Sequence, residues 1–323
     1  MSKDINYFGI DISANFFDAM DSKNKHYHFS NDHKGFKEFL KLLDKNSHCV
    51  MESTGYYHHQ LAYYLLNHSI RVSVENPVSI KRFIQMNLSR IKTDKSDAKM
   101  ICLYAQSRKL RIWKGNSKNQ IECRQIASLL ELYTKKSTAI KNKIKGENTL
   151  GNPSKVVVKS LKRSLKYLQK EMVLLEDKLL EIVKLDYQEL LTKLETIPGL
   201  GRKTSIMLII LTDGFEKFNK ASELCSFAGL TPIIRQSGSS IRGRARISKM
   251  GNRRLRNLLF MCSFSAFKHN KACKEIHQRI TNKGKCKKVA LIAVCNKLLK
   301  QAFAVAKSGL IYDENFKSVL VKN

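Results

Sequence analysis

Acidic residues are missing from one long stretch of this chain. Between Leu224 and Lys274 there is no Asp or Glu. A block of like charge repels itself, so it persists only beside a polyanion or in a disordered segment. Other shortages narrow the options. With four prolines and 15 glycines in 323 residues, the chain is poor in the residues that build long flexible linkers. The eight cysteines are scattered, and none forms a C-x-x-C pair. This argues against a structural zinc site and for reduced, mostly core thiols in a cytosolic, cytoplasmic protein. No apolar run approaches a membrane-spanning helix, and the N-terminus enters a strand with no signal-peptide pattern, so no membrane partner is expected.

What is present is positive charge. Fifty-nine basic against 27 acidic residues leave a net charge of +32, which fits nucleic acid far better than a small substrate. The charge is densest from Gly229 to Arg256. There Ser237, Ser239 and Ser240 sit in a Gly-rich turn among Arg235, Arg242, Arg244, Arg246, Lys249, Arg253, Arg254 and Arg256. Apolar residues flank the stretch closely, Phe227 and Leu230 before it and Leu255, Leu258, Leu259 and Phe260 after. It therefore reads as a folded phosphate-binding surface with hydroxyls at its centre.

The first third alternates strands and helices. Residues Tyr7 to Ile12, Asn15 to Met20 and His26 to Phe29 read as three strands, the last two joined by a turn at Asp21–Asn24. A helix near Gly35 to Leu43, a strand at Cys49–Met51, a helix near Tyr57 to Leu66, a strand at Ile70–Val74 and a helix from Pro77 follow. This order implies an α/β domain with a mixed sheet, for which an RNase H-like fold is one solution.

Two acids close apolar strands, Asp11 and Glu52, where an unpartnered carboxylate is costly. Two more, Asp94 and Asp97, share a helix face if a helix begins there. Converging from separate elements, the four make a hard-oxygen site suited to Mg²⁺, which can polarise a phosphodiester. The competing reading makes Asp94 an N-cap and Asp97 a first-turn acid, with Asp4, Asp18 and Asp21 as solvated surface.

After Trp113 the pattern turns helical. Ile126, Leu130, Tyr133, Ile140 and Ile144 recur at helical spacing, and Val158, Leu161, Leu165, Leu168, Met172, Leu175, Leu179 and Ile182 alternate three and four apart, a coiled-coil seam. A break at Gly146–Pro153 lets the two helices pair within one chain or zip to another. Lys159, Lys162, Arg163, Lys166 and Lys170 add a basic face. Further on, Ile197-Pro198-Gly199-Leu200-Gly201 between helices is a helix-hairpin-helix signature. Gly199 and Gly201 would present backbone N–H groups to phosphate, with Arg202 and Lys203 directly behind.

A serine needs an activating base or metal to act as a nucleophile, and no His lies near the serine turn in sequence. The acidic cluster is the available activator. Otherwise the three hydroxyls only hydrogen-bond phosphates. Val289 to Ala306 reads as an apolar core helix.

The motifs YFGIDIS, VMESTG, KTDKSDA, IPGLG and GLTPIIRQSG…ISKMGNRRLR, in this order and across almost the whole chain, resemble the DEDD transposases of insertion sequences. These are relatives of Piv-type DNA invertases and include bridge-RNA-guided recombinases. The resemblance implies a RuvC-like domain over 1–114, a helical coiled-coil arm over 115–190 and a mainly α-helical C-terminal transposase domain over 191–323. It implies that Asp11, Glu52, Asp94 and Asp97 bind Mg²⁺ and that Ser237 is the nucleophile forming a covalent phosphoserine link. It further implies donor and target DNA, a noncoding guide (bridge) RNA and a homo-oligomer, dimer or tetramer, with an active site shared between protomers. Two other readings remain: a RuvC-like Mg²⁺-dependent nuclease in which water attacks, and a non-catalytic nucleic-acid-binding architectural protein.

Overall fold

A computed structural model of the chain describes residues 5–53, 55–88, 93–233, 236–237, 241–242 and 246–316, with backbone placement alone for 236–237 and 241–242. Asp4, Arg235, Ser239, Ser240 and Arg244 therefore lie outside the described residues, as do the side chains of Ser237 and Arg242. The chain divides into two compact units, Met1–Asn116 and Ser117–Asn323.

The first unit is built on a five-stranded mixed sheet. Its strands are β1 (Asn6–Ile12), β2 (Phe16–Asp21), β3 (His26–Ser30), β4 (Ser47–Glu52) and β5 (Arg71–Glu75), in spatial order β3-β2-β1-β4-β5. The first three pair antiparallel, while β4 and β5 join β1 in parallel. Among the described residues, four helices accompany the sheet: α1 (His33–Leu40), α2 (His58–Asn67), α3 (Pro77–Met86) and α4 (Asp94–Ser107).

Side-chain alternation along β1 sorts the two faces. Phe8 and Ile10 pack with Phe17, Phe36, Phe39 and Leu61 into the core that α1 and α2 cover. Tyr7 points the other way, to Val50, Met100, Ile101 and Tyr104, the side that α3 and α4 cover. Met20 on β2 joins that second face, against Ala98 and Cys102 of α4.

The second unit starts with two long helices, α5 (Lys118–Thr149) and α6 (Lys155–Glu195). They run antiparallel, as the contacts Asn119–Asp186 and Ser137–Met172 show. Toward its base the seam foreseen in the sequence packs on α5 of the same chain. The connecting turn is shorter than the glycine pattern implied, because α5 continues through Gly146 to Thr149. Leu179 and Ile182 are buried near the base of this hairpin, whereas Val158, Leu161 and Leu165 are only half-covered further out. At Tyr187, α6 kinks (φ −137°, ψ 26°), and the Tyr187 hydroxyl accepts from the Gln120 side chain at 2.9 Å.

The rest of the unit comprises α7 (Arg202–Thr212), α8 (Ala221–Phe227), four two-residue strands, α9 (Arg253–His269), α10 (Lys271–Asn282) and α11 (Lys287–Ser308). The strands are β6 (Pro232–Ile233), β7 (Gln236–Ser237), β8 (Ile241–Arg242) and β9 (Arg246–Ile247), paired β6 with β9 and β7 with β8. One feature corrects the sequence reading of apolar runs. With 22 residues and a mean hydropathy of 1.6 over its most apolar window, α11 is long and apolar enough to cross a membrane. Its stripe of Ala290, Val294, Leu298, Leu299, Ala302 and Val305 is buried in the core of the second unit.

Candidate active site

The site in the first unit begins with a glycine. Gly9 and Asp11 lie two apart on β1, so both face α4. A Cβ on Gly9 would stand 2.4 Å from the Ala98 carbonyl oxygen, so only a residue without a side chain lets the helix backbone rest directly on the strand. The Cys102 thiol, donating to the Tyr7 carbonyl at 3.5 Å, adds to the same contact.

That contact fixes where α4 starts. Thr93 is its N-cap, in a reciprocal capping box with Ser96, and Asp94 is the first helical residue. Asp94 is therefore not the cap, contrary to the simpler sequence reading. Asp94 and Asp97 occupy the first turn, where the helix dipole favours negative charge. Asp94 is exposed and Asp97 half-buried. Glu52 ends β4, one residue past Met51, which pairs with Ile10 beside Asp11. The Asn31 amide donates to the carbonyls of Ser13 (2.9 Å) and Tyr57 (3.4 Å), tying together the chain segments that follow Asp11 and Glu52.

The four carboxylates share one electrostatic field. Burial pushes the Asp11 carboxyl up to about 6, and the charges of Asp97, Asp94, Glu52 and Asp18 push the same way. Among the described residues, no three His, Cys, Asp or Glu side chains close around a common point as bound metal would require. The donor set is nevertheless all hard oxygen, and the repulsion felt at Asp11 is what a divalent cation would relieve. Asp11, Glu52, Asp94 and Asp97 are thus the residues that could hold one.

Two further acids, Asp18 and Glu75, belong to this neighbourhood and were not singled out in the sequence. Asp18 and Asp21 are buried, 7% exposed each, rather than solvated surface. Asp18 pairs across the sheet with Asp11. The signal for Asp18 was alternation: Phe17 and Ala19 belong to the core under α1 and α2, which leaves Asp18 and Met20 on the α4 side. Glu75 pairs with Glu52 and accepts from the Tyr104 hydroxyl at 3.2 Å. It closes RVSVE as Glu52 closes its own strand, a pattern legible in the sequence.

The second unit carries the basic and serine elements. Ser237 pairs with Ile241 in the β7–β8 hairpin, whose intervening residues are not described. The segment that carries this hairpin is anchored by β6–β9, by the Asn252 amide donating to the Phe227 carbonyl at 2.7 Å, and by Arg256, which donates to the Ala228 carbonyl at 2.8 Å. Arg246, Lys249 and Arg253 are exposed. Arg254 is not: its guanidinium donates to the Ala127 carbonyl at 2.6 Å and lies 3.7 Å from Glu131, so it joins α9 to α5.

The glycine turn connects α6 to α7. Gly199 adopts φ +92°, and a Cβ there would stand 2.5 Å from the Ala266 Cα of α9. Gly201 caps α7, and among the described residues nothing lies within 4 Å of the Cβ position. Arg202 pairs with Glu195 at 2.7 Å and Lys203 with Glu176, so both candidate phosphate ligands have carboxylate partners within the chain.

Comparison with known proteins brings these two halves together. Residues 8–147 match the DEDD-type IS110 transposase domain, and residues 191–278 match the transposase IS116/IS110/IS902 family. The chain is 30% identical over 323 residues to the pilin gene-inverting protein of Moraxella lacunata, covering 95% of this chain and 98% of that protein. The chain belongs to the IS110 transposase family. The transposase is also 30% identical over 321 residues to the pilin gene-inverting protein of Moraxella bovis, with the same coverage. To the transposase for insertion sequence element IS1111A of Coxiella burnetii it is 24% identical over 251 residues, 69% of this chain and 66% of that one. It is accordingly a DNA transposase or recombinase, an enzyme of strand cleavage and transfer. The first matched segment contains all four acids of the site, and the second contains Ser237 and the IPGLG turn.

Proposed function

We propose that this IS110-family transposase cuts and rejoins DNA through a covalent phosphoserine at Ser237, working with a Mg²⁺ site formed by Asp11, Glu52, Asp94 and Asp97. The observation that carries the reading is the field at Asp11, a half-buried carboxyl pushed up by burial and by the charges of Asp97, Asp94, Glu52 and Asp18. Bound Mg²⁺ would polarise the scissile phosphodiester and help stabilise charge on its oxygens.

The protein's own residues divide the remaining work. The Ser237 hydroxyl attacks phosphorus and gives its proton to a base; as the P–O bond to serine forms, the bond from phosphorus to the 3′-oxygen breaks and that oxygen takes up a proton to leave as a 3′-hydroxyl. Arg235, Arg242, Arg244, Arg246, Lys249 and Arg253 hold the phosphates flanking the break, a positioning role rather than sequence readout. Gly199, Gly201, Arg202 and Lys203 act as a helix-hairpin-helix contact to a second stretch of backbone, with Arg202 and Lys203 exchanging their carboxylate partners for phosphate. Ser239 and Ser240 are the competing hydroxyls.

In the same reading, residues 1–114 are an RNase H-like (RuvC-like) domain, 115–190 a coiled-coil arm and 191–323 the transposase domain. Apolar side chains left exposed on α6, among them Val156, Tyr167 and Leu174, support a role of the arm in a homo-oligomer, dimer or tetramer. The net charge of +32 supports nucleic-acid partners, donor and target DNA among them, and the family resemblance adds a noncoding bridge RNA.

The test is adduct trapping on a nicked suicide DNA substrate with Mg²⁺ and the RNA encoded beside the gene. Wild type should yield a denaturant-resistant protein–DNA adduct, and Ser237→Ala should abolish it. Cleavage by Ser237→Ala without an adduct would establish the nuclease reading instead. Inactivity of wild type under all these conditions would leave the architectural one.

A further inference from the structure

Next to the acid cluster lies a group of side chains to which the mechanism above gives no task. Cross-strand register sets Asp11 opposite Asp18 and Asp18 opposite His28, so the three form a row on one face of β1, β2 and β3. At the usual strand spacing the row spans about 10 Å. His26, two residues before His28, faces the same side.

Asp18 holds both rings. Its Oδ1 is 2.6 Å from His26 Nε2, and both its oxygens are 3.2 Å from His28 Nδ1. The carboxylate is buried, but the rings are not: the His28 side chain is 55% exposed and that of His26 27%. Each imidazole is thereby fixed by one nitrogen, and among the described residues the opposite edge, Nε2 of His28 and Nδ1 of His26, makes no hydrogen bond. Phe16, itself 48% exposed, stacks on the His28 ring at 5.1 Å between centroids. A buried carboxylate needs donors, but that need alone gives no reason for half-exposed rings backed by an exposed aromatic and aligned with Asp11.

We propose that Asp18, His26, His28 and Phe16 form a contact for the DNA strand that passes the acid cluster, with His28 binding a phosphate that neighbours the scissile one. The His28 ring then bridges the Asp18 carboxylate through Nδ1 and that phosphate through Nε2, with an anion on each side. Phe16 offers a face on which an unstacked base can rest. His26 and Asp18 are positioning residues, fixing the ring before DNA arrives. The inference rests on the acid cluster being where DNA is cut, but not on Ser237 as nucleophile.

Binding of the full-length transposase, with its RNA, to labelled DNA from the ends of its own element tests this contact. His28→Ala and His28→Gln should each weaken binding about tenfold, the scale of one charge-assisted contact. The Gln side chain can still donate to Asp18 but has no outward donor, so it guards against a simple folding defect, which thermal unfolding checks. Replacing phosphates one at a time by methylphosphonate should reveal a position beside the cleavage site that weakens wild type tenfold and His28→Ala no further. Unchanged affinity of both variants, or additive losses at every methylphosphonate position, would overturn the proposal. Because binding is read without cleavage, absence of the Ser237 adduct leaves this test intact.

Discussion

The Cβ that Gly9 lacks would stand 2.1 Å from the backbone nitrogen of Cys102. That close approach seats α4 on β1 and so delivers Asp94 and Asp97 to the neighbourhood of Asp11. Gly9→Ala should force the helix away from the strand, with an overpacking cost of about 1–3 kcal/mol. Thermal unfolding should fall accordingly and DNA strand cleavage should be lost even below the new melting point. A Gly9→Ala protein with wild-type cleavage would show that the helix position is immaterial to the site.

Cation binding should depend on pH through Asp11. Its folded-state value of about 6 lies above the ordinary 3.8, so its contribution to stability is full at low pH and is lost as pH rises through 6. A divalent cation relieves that loss where the carboxyl is ionised. Added Mg²⁺ should therefore raise the melting temperature more at pH 8 than at pH 5, and chelation should reverse the gain. In Asp11→Asn the Mg²⁺ effect should shrink at pH 8. An equal Mg²⁺ shift at both pH values in wild type would contradict the cation site.

His48 supplies an opposite dependence on acid. Its ring is buried between strands, donating to the Ser73 hydroxyl at 2.8 Å, while that hydroxyl donates to the Arg111 carbonyl at 2.9 Å. Burial, and then the nearby Arg71 charge, lowers its value from 6.5 to about 4. Between those values the unfolded chain binds a proton that the folded one excludes, so stability falls as pH drops from 6.5 to 4. The contribution should be about 2 kcal/mol after allowing for solvent screening. Because Asp11 works in the opposite sense over part of this window, the reading is the difference between wild type and His48→Gln. That difference should change with pH only below about 6.5, and a constant difference from pH 4 to 8 would refute it.

Asp213 fixes the base of the helical arm. It takes the left-handed conformation at the end of α7 (φ +50°), bonds Arg124 of α5 at 2.5 Å and pairs with Lys217 at 3.0 Å. Asn tolerates the same backbone but not the charge balance, so Asp213→Asn leaves two cations facing each other. A loss of about 2–3 kcal/mol in chemical denaturation is expected, with Arg124→Met in the same background restoring part of it. No rescue would mean that Asp213 acts through its backbone alone.

Much of this was legible in the sequence because the signals were periodic. Alternation in YFGIDI predicted the strand and put Asp11 at its end, and the three-four spacing from Val158 to Ile182 predicted α6. What sequence could not supply was pairing. Asp18 looked like surface because the β1–β2 register that sets it opposite Asp11 depends on the turn between them. Arg254 looked like one more phosphate ligand in a basic run, whereas the fold turns it back onto the Ala127 carbonyl. The glycine at 146 looked like a helix end, yet α5 runs through it, since one glycine costs a long, well-paired helix only about 1 kcal/mol.

Gly199 has one more consequence. The same 41-residue α6 that forms the outer half of the arm ends at the turn pressed against Ala266 of α9, and α9 begins directly after the segment bearing Ser237. The turn that ends the arm therefore rests directly on the backbone of α9, with no side chain of its own at Gly199 to hold the two apart. The one interruption of α6, at Tyr187, lies on the core side of the arm and is wedged by Gly214, where a Cβ would come within 2.5 Å of the ring.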